Sequence, residues 1–355
     1  MVFLYGRQWS RAELSRFVAN MAQLGGVRPV AFQDGPEAGV RGLEFRTGAG
    51  LAFTVLPDRG MDVGLTEIDG VPLSFLTAVG YAHPAYFEPA GLGWLRTFPG
   101  GLFVTCGLDA AGAPSEDAGV PFGLHGRASA LPARGVAFDA DWEGDEYVLR
   151  ARGKMRQVAM HGEWLQLTRE ITARLGQNRF AIRDTVENLG SRTEPHMLVY
   201  HFNVGYPLLD AGAEFLVRSV RAEGIDERSR AAADSYGRVA GPSPDFEEEV
   251  IQHDVAPGPD GMVTAAVRNS ALMGGRGLAL TIRYRKDQLP NLVQWRNFRE
   301  RAYVMGIEPA NCDIRGRATS RERGALQELA PGERREYHLE VEALTDPAAI
   351  AALSA

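Results

Sequence analysis

Short runs of β-branched and aromatic residues, broken by Gly, Pro, Asp or Asn, fill most of the chain after residue 25. Examples are LEFRTGAGLAFTVLPDRG, YVLRARGKM and REYHLEVEAL. Runs of this length and composition between turn residues predict consecutive strands. WLQLTREITARL and RFAIRDTVEN are joined by GQN, where Gly176 and Asn178 tolerate a positive φ, so this segment predicts a β-hairpin. The sequence therefore predicts an antiparallel all-β fold.

The number of strands limits the architecture further. With 355 residues and ~20 strands, a simple closed barrel would have too large an interior for side chains to fill, so two large packed sheets are favoured. Only residues 10–24 have helical spacing, with Ser10 as N-cap and Glu13 completing a capping box. We predict a large β-sandwich over residues 26–355, a short N-terminal helical extension over 1–25, and a long polar excursion over about 220–262 that includes the acidic tract DFEEEV.

Charge and composition exclude several classes of protein. The formal net charge is −7, and 38 basic residues are scattered among 45 acidic ones without a polybasic tract, so nucleic acid is not an expected partner. No run of about 18 apolar residues and no signal-peptide pattern occurs, which predicts a cytoplasmic protein without a membrane partner. Cys106 and Cys312 are too few for a disulfide framework and fit a reducing compartment.

The segment MLVYHFNVGYP carries polar residues within an apolar strand. Strand alternation places His201 and Asn203 on one face and Tyr200 on the other. His196 lies five residues before His201 and faces the opposite side, which argues against a shared metal site. His201 is either a hydrogen-bonded core residue or a functional one, because buried polar groups are usually paired.

In YVMGIEPAN, Glu308 lies in an apolar strand and is followed directly by Pro309. Burial of a carboxylate raises its pKa toward the range that suits a general base. The structural alternative is an ion pair with Arg315 or Arg59, since such pairs also perturb acids.

GLHGR contains His125 between Gly123 and Gly126, which permit a close backbone approach by a ligand, and Arg127 adds a guanidinium with several donors. An ordinary turn would explain the same residues.

Two further segments contain candidate binding residues. In LPDRGMDV, Asp58 and Arg59 lie at a strand end and either bind sugar-like hydroxyls or form a turn salt bridge. Trp295 in NLVQWRNF is a stacking surface or a core aromatic residue. The chain has no GxGxxG after a strand and no GxxxxGK[ST], HExxH, CxxC or GxSxG, so dinucleotide, P-loop, standard zinc and serine-elbow chemistry lack support.

Seven segments, taken in order, resemble the galactose mutarotase-like (aldose 1-epimerase) superfamily, and specifically its less characterised bacterial branch. They are QLGGVRP, VLPDRGMDVG, FPGGLFVTCGLDAAG, GLHGR, VENLGSRTEPHMLVYHFNVGYPLLD, GIEP and LQELAPGERREYHLEVEAL. The resemblance covers about residues 20–345. FPGGLFVTCGL stands where typical mutarotases have an Asn and Arg motif.

The resemblance implies a large β-sandwich and specific roles for site residues. Glu308 in GIEP matches the catalytic base, His201 in YHFN the catalytic acid, and His125 in LHG the second histidine that holds the substrate. Arg59 and Asn203 match substrate contacts, with Arg127, Asp58 and Trp295 as further candidates. The implied reaction is acid–base opening and closure of a sugar hemiacetal, which requires no metal or redox cofactor.

Two other functions fit the same segments. A carbohydrate-binding protein would keep the cleft without turnover, and another sugar isomerase, lyase or glycosidase would use the same scaffold, although a glycosidase needs two carboxylates about 5 to 9.5 Å apart. Arg59, Arg127 and Arg315 would suit an anionic sugar, because guanidinium groups bind carboxylate, phosphate or sulfonate bidentately. The sequence leaves a monomer and a homodimer open.

Overall fold

The computed structural model of the chain describes residues 1–354. The strands are β1 (Val2–Leu4), β2 (Arg7–Trp9), β3 (Gly26–Ala31), β4 (Arg41–Arg46), β5 (Leu51–Leu56), β6 (Asp62–Ile68), β7 (Val71–Pro72), β8 (Phe75–Leu76), β9 (Gly100–Gly101), β10 (Phe103–Leu108), β11 (Ser115–Asp117), β12 (Val120–Phe122), β13 (Arg134–Glu143), β14 (Glu146–Val158), β15 (Trp164–Arg174), β16 (Arg179–Asn188), β17 (Glu194–Pro195), β18 (Met197–Gly205), β19 (Glu214–Val217), β20 (Ser219–Gly224), β21 (Glu249–Val255), β22 (Met262–Asn269), β23 (Leu278–Arg285), β24 (Asn291–Arg299), β25 (Ala302–Ala310), β26 (Glu328–Leu329) and β27 (Arg334–Leu344).

The helices are all short. The α-helices are α1 (Arg11–Leu14), α2 (Glu227–Ala232), α3 (Leu272–Gly275), α4 (Arg317–Glu322) and α5 (Pro347–Ala351), and the 3-10 helices are Met21–Gln23, Gly35–Glu37, Pro84–Tyr86, Gly93–Arg96, Ala128–Ala130 and Ala233–Ser235. Within residues 1–354, none is long and apolar enough to cross a membrane.

Two large antiparallel sheets form the molecule. The first sheet has 11 strands in the order β20-β21-β24-β25-β18-β10-β6-β5-β4-β3, with β7 paired to β6, and the second has eight in the order β13-β14-β15-β16-β27-β23-β22-β19. Side chains from both sheets form one large hydrophobic core between them. The predicted antiparallel β-sandwich is confirmed.

The predicted hairpin forms between β15 and β16, and its turn residues act differently from one another. Gly176 has a φ of +82°, which glycine adopts without a steric penalty. Asn178 does not need a positive φ; its Oδ1 instead accepts a hydrogen bond from Leu51 N at 3.2 Å. Apolar residues of β15 and β16, such as Ile171 and Ile182, alternate into the core.

The N-terminal helix is shorter than the sequence pattern predicts. The capping box forms, with Glu13 N donating to Ser10 Oγ at 3.2 Å and Ser10 N donating to Glu13 Oε2 at 2.8 Å. The helix nevertheless ends at Leu14, and Asn20 caps a separate 3-10 turn by accepting a 3.0 Å hydrogen bond from Ala22 N. Residues 2–9 form a hairpin, not a helical extension.

The segment 220–262 is only partly the rim excursion that its polarity predicts. It contains most of β20, all of β21 and helix α2, which Asp226 caps by accepting from Ser229 N at 2.7 Å. β20 is the edge strand of the first sheet, and three of its six residues are exposed. An edge strand with one solvated side has a polar composition, so its sequence resembles that of a loop. Residues 245–248 of the acidic tract form no helix.

Candidate functional site

The site lies on the face of the first sheet that points away from the second sheet. Strand β18 is buried on both faces. Tyr200 and Phe202 enter the core between the sheets, and Val199 belongs to a separate cluster on the other face. His201 shares that other face by strand alternation. The alternation that the sequence predicts is therefore confirmed, and β18 is covered on its outer face by loops.

Register between β18 and β25 brings His201 to Glu308. Val199 pairs with Ala310 and Phe202 with Ile307, so His201 and Glu308 are direct cross-strand neighbours. The imidazole Nε2 lies 3.3 Å from Glu308 Oε1. Glycine at 306 makes room for this contact, because a Cβ there would lie 2.9 Å from Glu308 Oε1.

Glu308 is 3% exposed, and neither predicted arginine pairs with its carboxyl group. Arg315 forms an ion pair with Asp313, and the guanidinium of Arg59 donates to backbone carbonyls. Burial alone raises the pKa of Glu308 to about 8, because the charged form loses its hydration. The imidazole of His201 is thus the basic group that the structure places at this carboxyl.

His125 completes the constellation from a loop. Its backbone is held by hydrogen bonds from His125 N to Gly112 O and from Gly107 N to His125 O. Its ring lies edge-on to His201, with centroids 5.5 Å apart. Burial and the neighbouring His201 lower the pKa of His125 to about 3, and burial lowers that of His201 to about 4. Both rings are neutral at pH 7.

The glycines beside His125 have a different role from the predicted one. A Cβ at Gly123 would collide with Pro89 O, and one at Gly126 would collide with Ala110 O. Both glycines therefore allow protein backbone, not a ligand, to pack closely. They fix the loop that presents His125.

Three aromatic residues enclose the histidines. Trp94 lies 4.7 Å from His125 and Phe98 lies 5.7 Å from His201, measured between ring centroids. Trp295 lies 5.6 Å from His201 and remains partly exposed. Sequence reasoning missed Trp94 and Phe98; the only signal was the aromatic pair in GLGWLRTFPG, since neither lies on a predicted strand.

Trp295 also belongs to the rim of the site. Its Nε1 donates to Glu248 Oε2 at 3.0 Å. It packs against the outer cluster of the sheet as a partly buried residue. Trp295 can therefore be both a core aromatic residue and a stacking surface, because it is packed on one side and accessible on the other.

Arg59 and Asp58 do not reach the site as free binding groups. Arg59 is 2% exposed, and it donates to Ala82 O at 2.5 Å and to Thr97 O at 2.8 Å. Asp58 accepts from Arg41 through both carboxylate oxygens. Arg59 thus supports the loop that carries Phe98 through its two terminal nitrogens, while its Nε is buried without a partner, and its predicted substrate contact stays a prediction.

Arg127 and Asn203 are also engaged by protein groups. Arg127 forms an ion pair with Glu163. Asn203 is fully buried, and its Nδ2 donates to His201 O at 2.9 Å and to Gly101 O at 3.3 Å. Its Oδ1 is buried without a hydrogen-bond partner, and its predicted contact with a substrate stays a prediction.

The sequence profile described as "Domain of unknown function (DUF4432)" matches residues 37–343. The chain belongs to the DUF4432 family. No curated protein matches this DUF4432 chain. Solved structures do, and they share the galactose mutarotase-like fold, which confirms the resemblance seen in the sequence.

Three similar structures cover most of the DUF4432 chain. One from Klebsiella pneumoniae, described as a "putative aldose 1-epimerase", has a TM-score of 0.86 and 27% identity over 92% of this chain and 85% of its own. A galactose mutarotase-like protein from Clostridium acetobutylicum has a TM-score of 0.66 and 12% identity, covering 91% and 99%. Galactose 1-epimerase from Lactobacillus acidophilus has a TM-score of 0.58 and 13% identity, covering 91% and 99%.

Proposed function

We propose that this DUF4432 protein is an aldose 1-epimerase (mutarotase)-type enzyme that interconverts the two anomers of a free sugar. The observation that carries the proposal is the buried pair of Glu308 and His201, with Nε2 and Oε1 3.3 Å apart. Enzymes that transfer protons at neutral pH commonly use two adjacent groups whose pKa values are shifted from their ordinary values. The K. pneumoniae structure described as a "putative aldose 1-epimerase" is consistent with the same class of reaction.

The pair holds one proton at neutral pH, since the pKa of Glu308 is about 8 and that of His201 about 4. The proton lies on the carboxyl group or, as an ion pair, on the imidazole, and the two forms have equal net charge. In the ion-pair form, Glu308 takes the proton of the anomeric hydroxyl while His201 gives one to the ring oxygen. The bond from C1 to the ring oxygen breaks and a C1 carbonyl forms.

Reclosure on the other face reverses these transfers. The bond between C1 and C2 rotates, His201 removes the proton from the former ring oxygen, and Glu308 returns a proton to the carbonyl oxygen. The pair ends in its starting state. Each positioned acid or base contributes ~10²- to 10⁴-fold. In this proposal, neutral His125 holds a sugar hydroxyl and Trp295 stacks against a sugar face.

The partners of the three predicted arginines favour an uncharged sugar. Arg59 is occupied by carbonyls, Arg127 by Glu163 and Arg315 by Asp313. An anion would have to displace these partners before it could bind. Burial is the cause of the raised pKa of Glu308, with no contribution from a second carboxylate, which argues against the two-carboxylate arrangement of a glycosidase.

The test is the rate of anomer interconversion, measured by NMR saturation exchange across a panel of neutral and acidic sugars. We expect wild-type protein to accelerate exchange of a neutral sugar, and Glu308→Gln and His201→Asn each to reduce it by at least about 100-fold. Glu143→Gln, which removes an exposed carboxylate paired with Arg150, is the matched control and should leave the rate unchanged. Sugar binding without faster exchange in wild type would refute the enzyme proposal and favour a carbohydrate-binding protein.

A further inference from the structure

The amide of Asn203 has a fixed orientation. Its Nδ2 donates to two backbone carbonyls, those of His201 at 2.9 Å and Gly101 at 3.3 Å. A flipped amide would place an oxygen against both carbonyls, so the two neighbours assign the nitrogen and the oxygen unambiguously. Oδ1 is therefore directed away from these carbonyls, and it is buried without a hydrogen-bond donor.

The imidazole of His201, on the same strand, also has a buried nitrogen without a hydrogen-bond partner. His201 precedes Asn203 by two residues on the same face of β18, and its Nδ1 is also buried without a partner. An amide oxygen can only accept, so the two atoms complement each other only if Nδ1 carries a hydrogen. The amide of Asn203 also raises the pKa of His201, although burial has the larger effect and lowers it.

We propose that Asn203 is a positioning residue that holds the proton of neutral His201 on Nδ1 and so directs the Nε2 lone pair toward Glu308. Strand alternation supplies the geometry, because residues i and i+2 share a face of β18. The buried carbonyl of Gly101 anchors the amide from the far side. Asn203 acts on the ring without touching the sugar, and this replaces the direct substrate contact that the sequence resemblance implied.

The catalytic consequence rests on the proposed function. A proton on Nδ1 leaves Nε2 free to receive the proton that Glu308 carries, so the pair can switch to its ion-pair form in one transfer. In the other tautomer, Nε2–H would face a protonated carboxyl group, and that transfer would be blocked. Groups that orient a histidine in this way typically change activity by 10- to 100-fold when they are replaced.

The ring of His201 also faces His125, whose Nδ1 is buried without a partner as well. The His201 ring is bordered by the neutral ring of His125 and by Trp94, Phe98 and Trp295. Glu308 lies on the Nε2 side. Asn203 offers a buried oxygen that can only accept, whereas the unpaired ring nitrogen of His125 can either accept or donate.

The experiment reads the tautomer directly, by ¹⁵N NMR of the full-length protein labelled at histidine, with His201→Asn used to assign the signal. In wild type at pH 7, we expect a neutral His201 with a protonated Nδ1 and a bare Nε2. Asn203→Leu should move the proton to Nε2 or give a mixture of tautomers, and should lower kcat by roughly 10- to 100-fold with KM nearly unchanged. Asn203→Asp keeps the acceptor, so it should retain the Nδ1 proton and raise the pH at which His201 titrates.

Asn269→Leu is the matched control, because Asn269 is also buried and also donates through Nδ2 to two carbonyls, those of Pro207 and Leu208. It should not change the His201 spectrum. A wild-type His201 protonated on Nε2, or an unchanged tautomer in Asn203→Leu, would overturn the proposal. If Asn203→Leu does not fold, a titration of His201 in Asn203→Asp that matches wild type would overturn it instead.

The two proposals fail in different ways. If the tautomer of His201 changes as expected but wild type accelerates anomer exchange for no sugar, the role of Asn203 is supported and the epimerase proposal is refuted. If wild type accelerates anomer exchange but the tautomer of His201 is unchanged when Asn203 is replaced, the epimerase proposal is supported and the role of Asn203 is refuted.

Discussion

Replacing Glu308 by glutamine should stabilise the protein, increasingly so as the pH rises. Glu308 has its pKa raised from 4.5 to about 8 by burial. An acid with a raised folded-state pKa stabilises the fold fully below its unfolded-state pKa and loses that stability as the pH rises through the folded-state value. Between pH 4.5 and 8 this carboxyl group stays protonated in the folded state but ionises in the unfolded state, so the folded state becomes progressively less favoured, and a glutamine amide avoids that loss.

The size of the effect follows from the two pKa values. Each unit of difference is worth about 1.4 kcal/mol. Integrated over the titration, the cost of keeping Glu308 buried is about 1 kcal/mol at pH 5, about 3 kcal/mol at pH 7 and about 5 kcal/mol at pH 9. Glutamine has nearly the same volume, and its amide can donate to His201 Nε2, so the packing is retained.

The assay is urea unfolding of wild type and Glu308→Gln, followed by tryptophan fluorescence at pH 5, 7 and 9. We expect the two free energies of unfolding to be close at pH 5 and to diverge by about 4 kcal/mol by pH 9. Glu143→Gln, at an exposed carboxylate, should follow wild type at every pH. Parallel curves for wild type and Glu308→Gln would refute the argument that burial raises the pKa of this carboxyl group.

Three further predictions concern the same groups. The rate of anomer exchange should be highest between roughly pH 4 and 8 and fall outside that range, because the one-proton pair of Glu308 and His201 exists there; an acid limb near the ordinary histidine pKa of 6.5 would contradict this. Gly306→Ala should reduce exchange by at least about 10-fold, as the new Cβ would lie 2.9 Å from Glu308 Oε1, and unchanged NMR exchange would show that the carboxyl position is not critical. Burial lowers the pKa values of three histidines, His125, His196 and His201, to about 3, 4 and 4. The protein should therefore keep its full stability above pH 6.5 and lose stability as the pH falls toward 4. Urea unfolding in the Glu308→Gln background should show a loss of about 2 kcal/mol per histidine between pH 7 and 5, and a free energy of unfolding that does not change with pH would contradict this.

Local pattern determined most of the fold. Period-two alternation and turn residues are properties of a few neighbouring residues, so the hairpin of β15 and β16 and the two faces of β18 could be predicted directly. The same reasoning misjudged segments where competing local signals meet. Ser10 correctly predicted a helix start, but the helix ends at Leu14 and Asn20 begins a separate 3-10 turn. The polar edge strand β20 resembled a loop.

The candidate site likewise has features that the sequence could predict and features that only the folded chain shows. The sequence singled out His125, His201 and Glu308 because ionisable residues in apolar strands and glycine loops are costly unless they are paired or used. Which atoms meet was decided by strand register between β18 and β25, a relation between residues 107 positions apart. No local pattern contains that information.

The arginines show why residue type alone was insufficient. Arg59 and Arg127 had the chemistry of ligand-binding groups, and the sequence could not reveal that distant carbonyls and Glu163 occupy them. Trp94 and Phe98 lie on an irregular loop, where neither strand nor helix periodicity applies, yet tertiary packing brings them onto the histidines. The sequence by itself determined the β-sandwich, because strand alternation and turn residues are local, and its resemblance to the mutarotases made Glu308, His201 and His125 the candidate acid–base residues. Only the tertiary structure decided their partners, burial and protonation, because these depend on contacts made after the chain has folded.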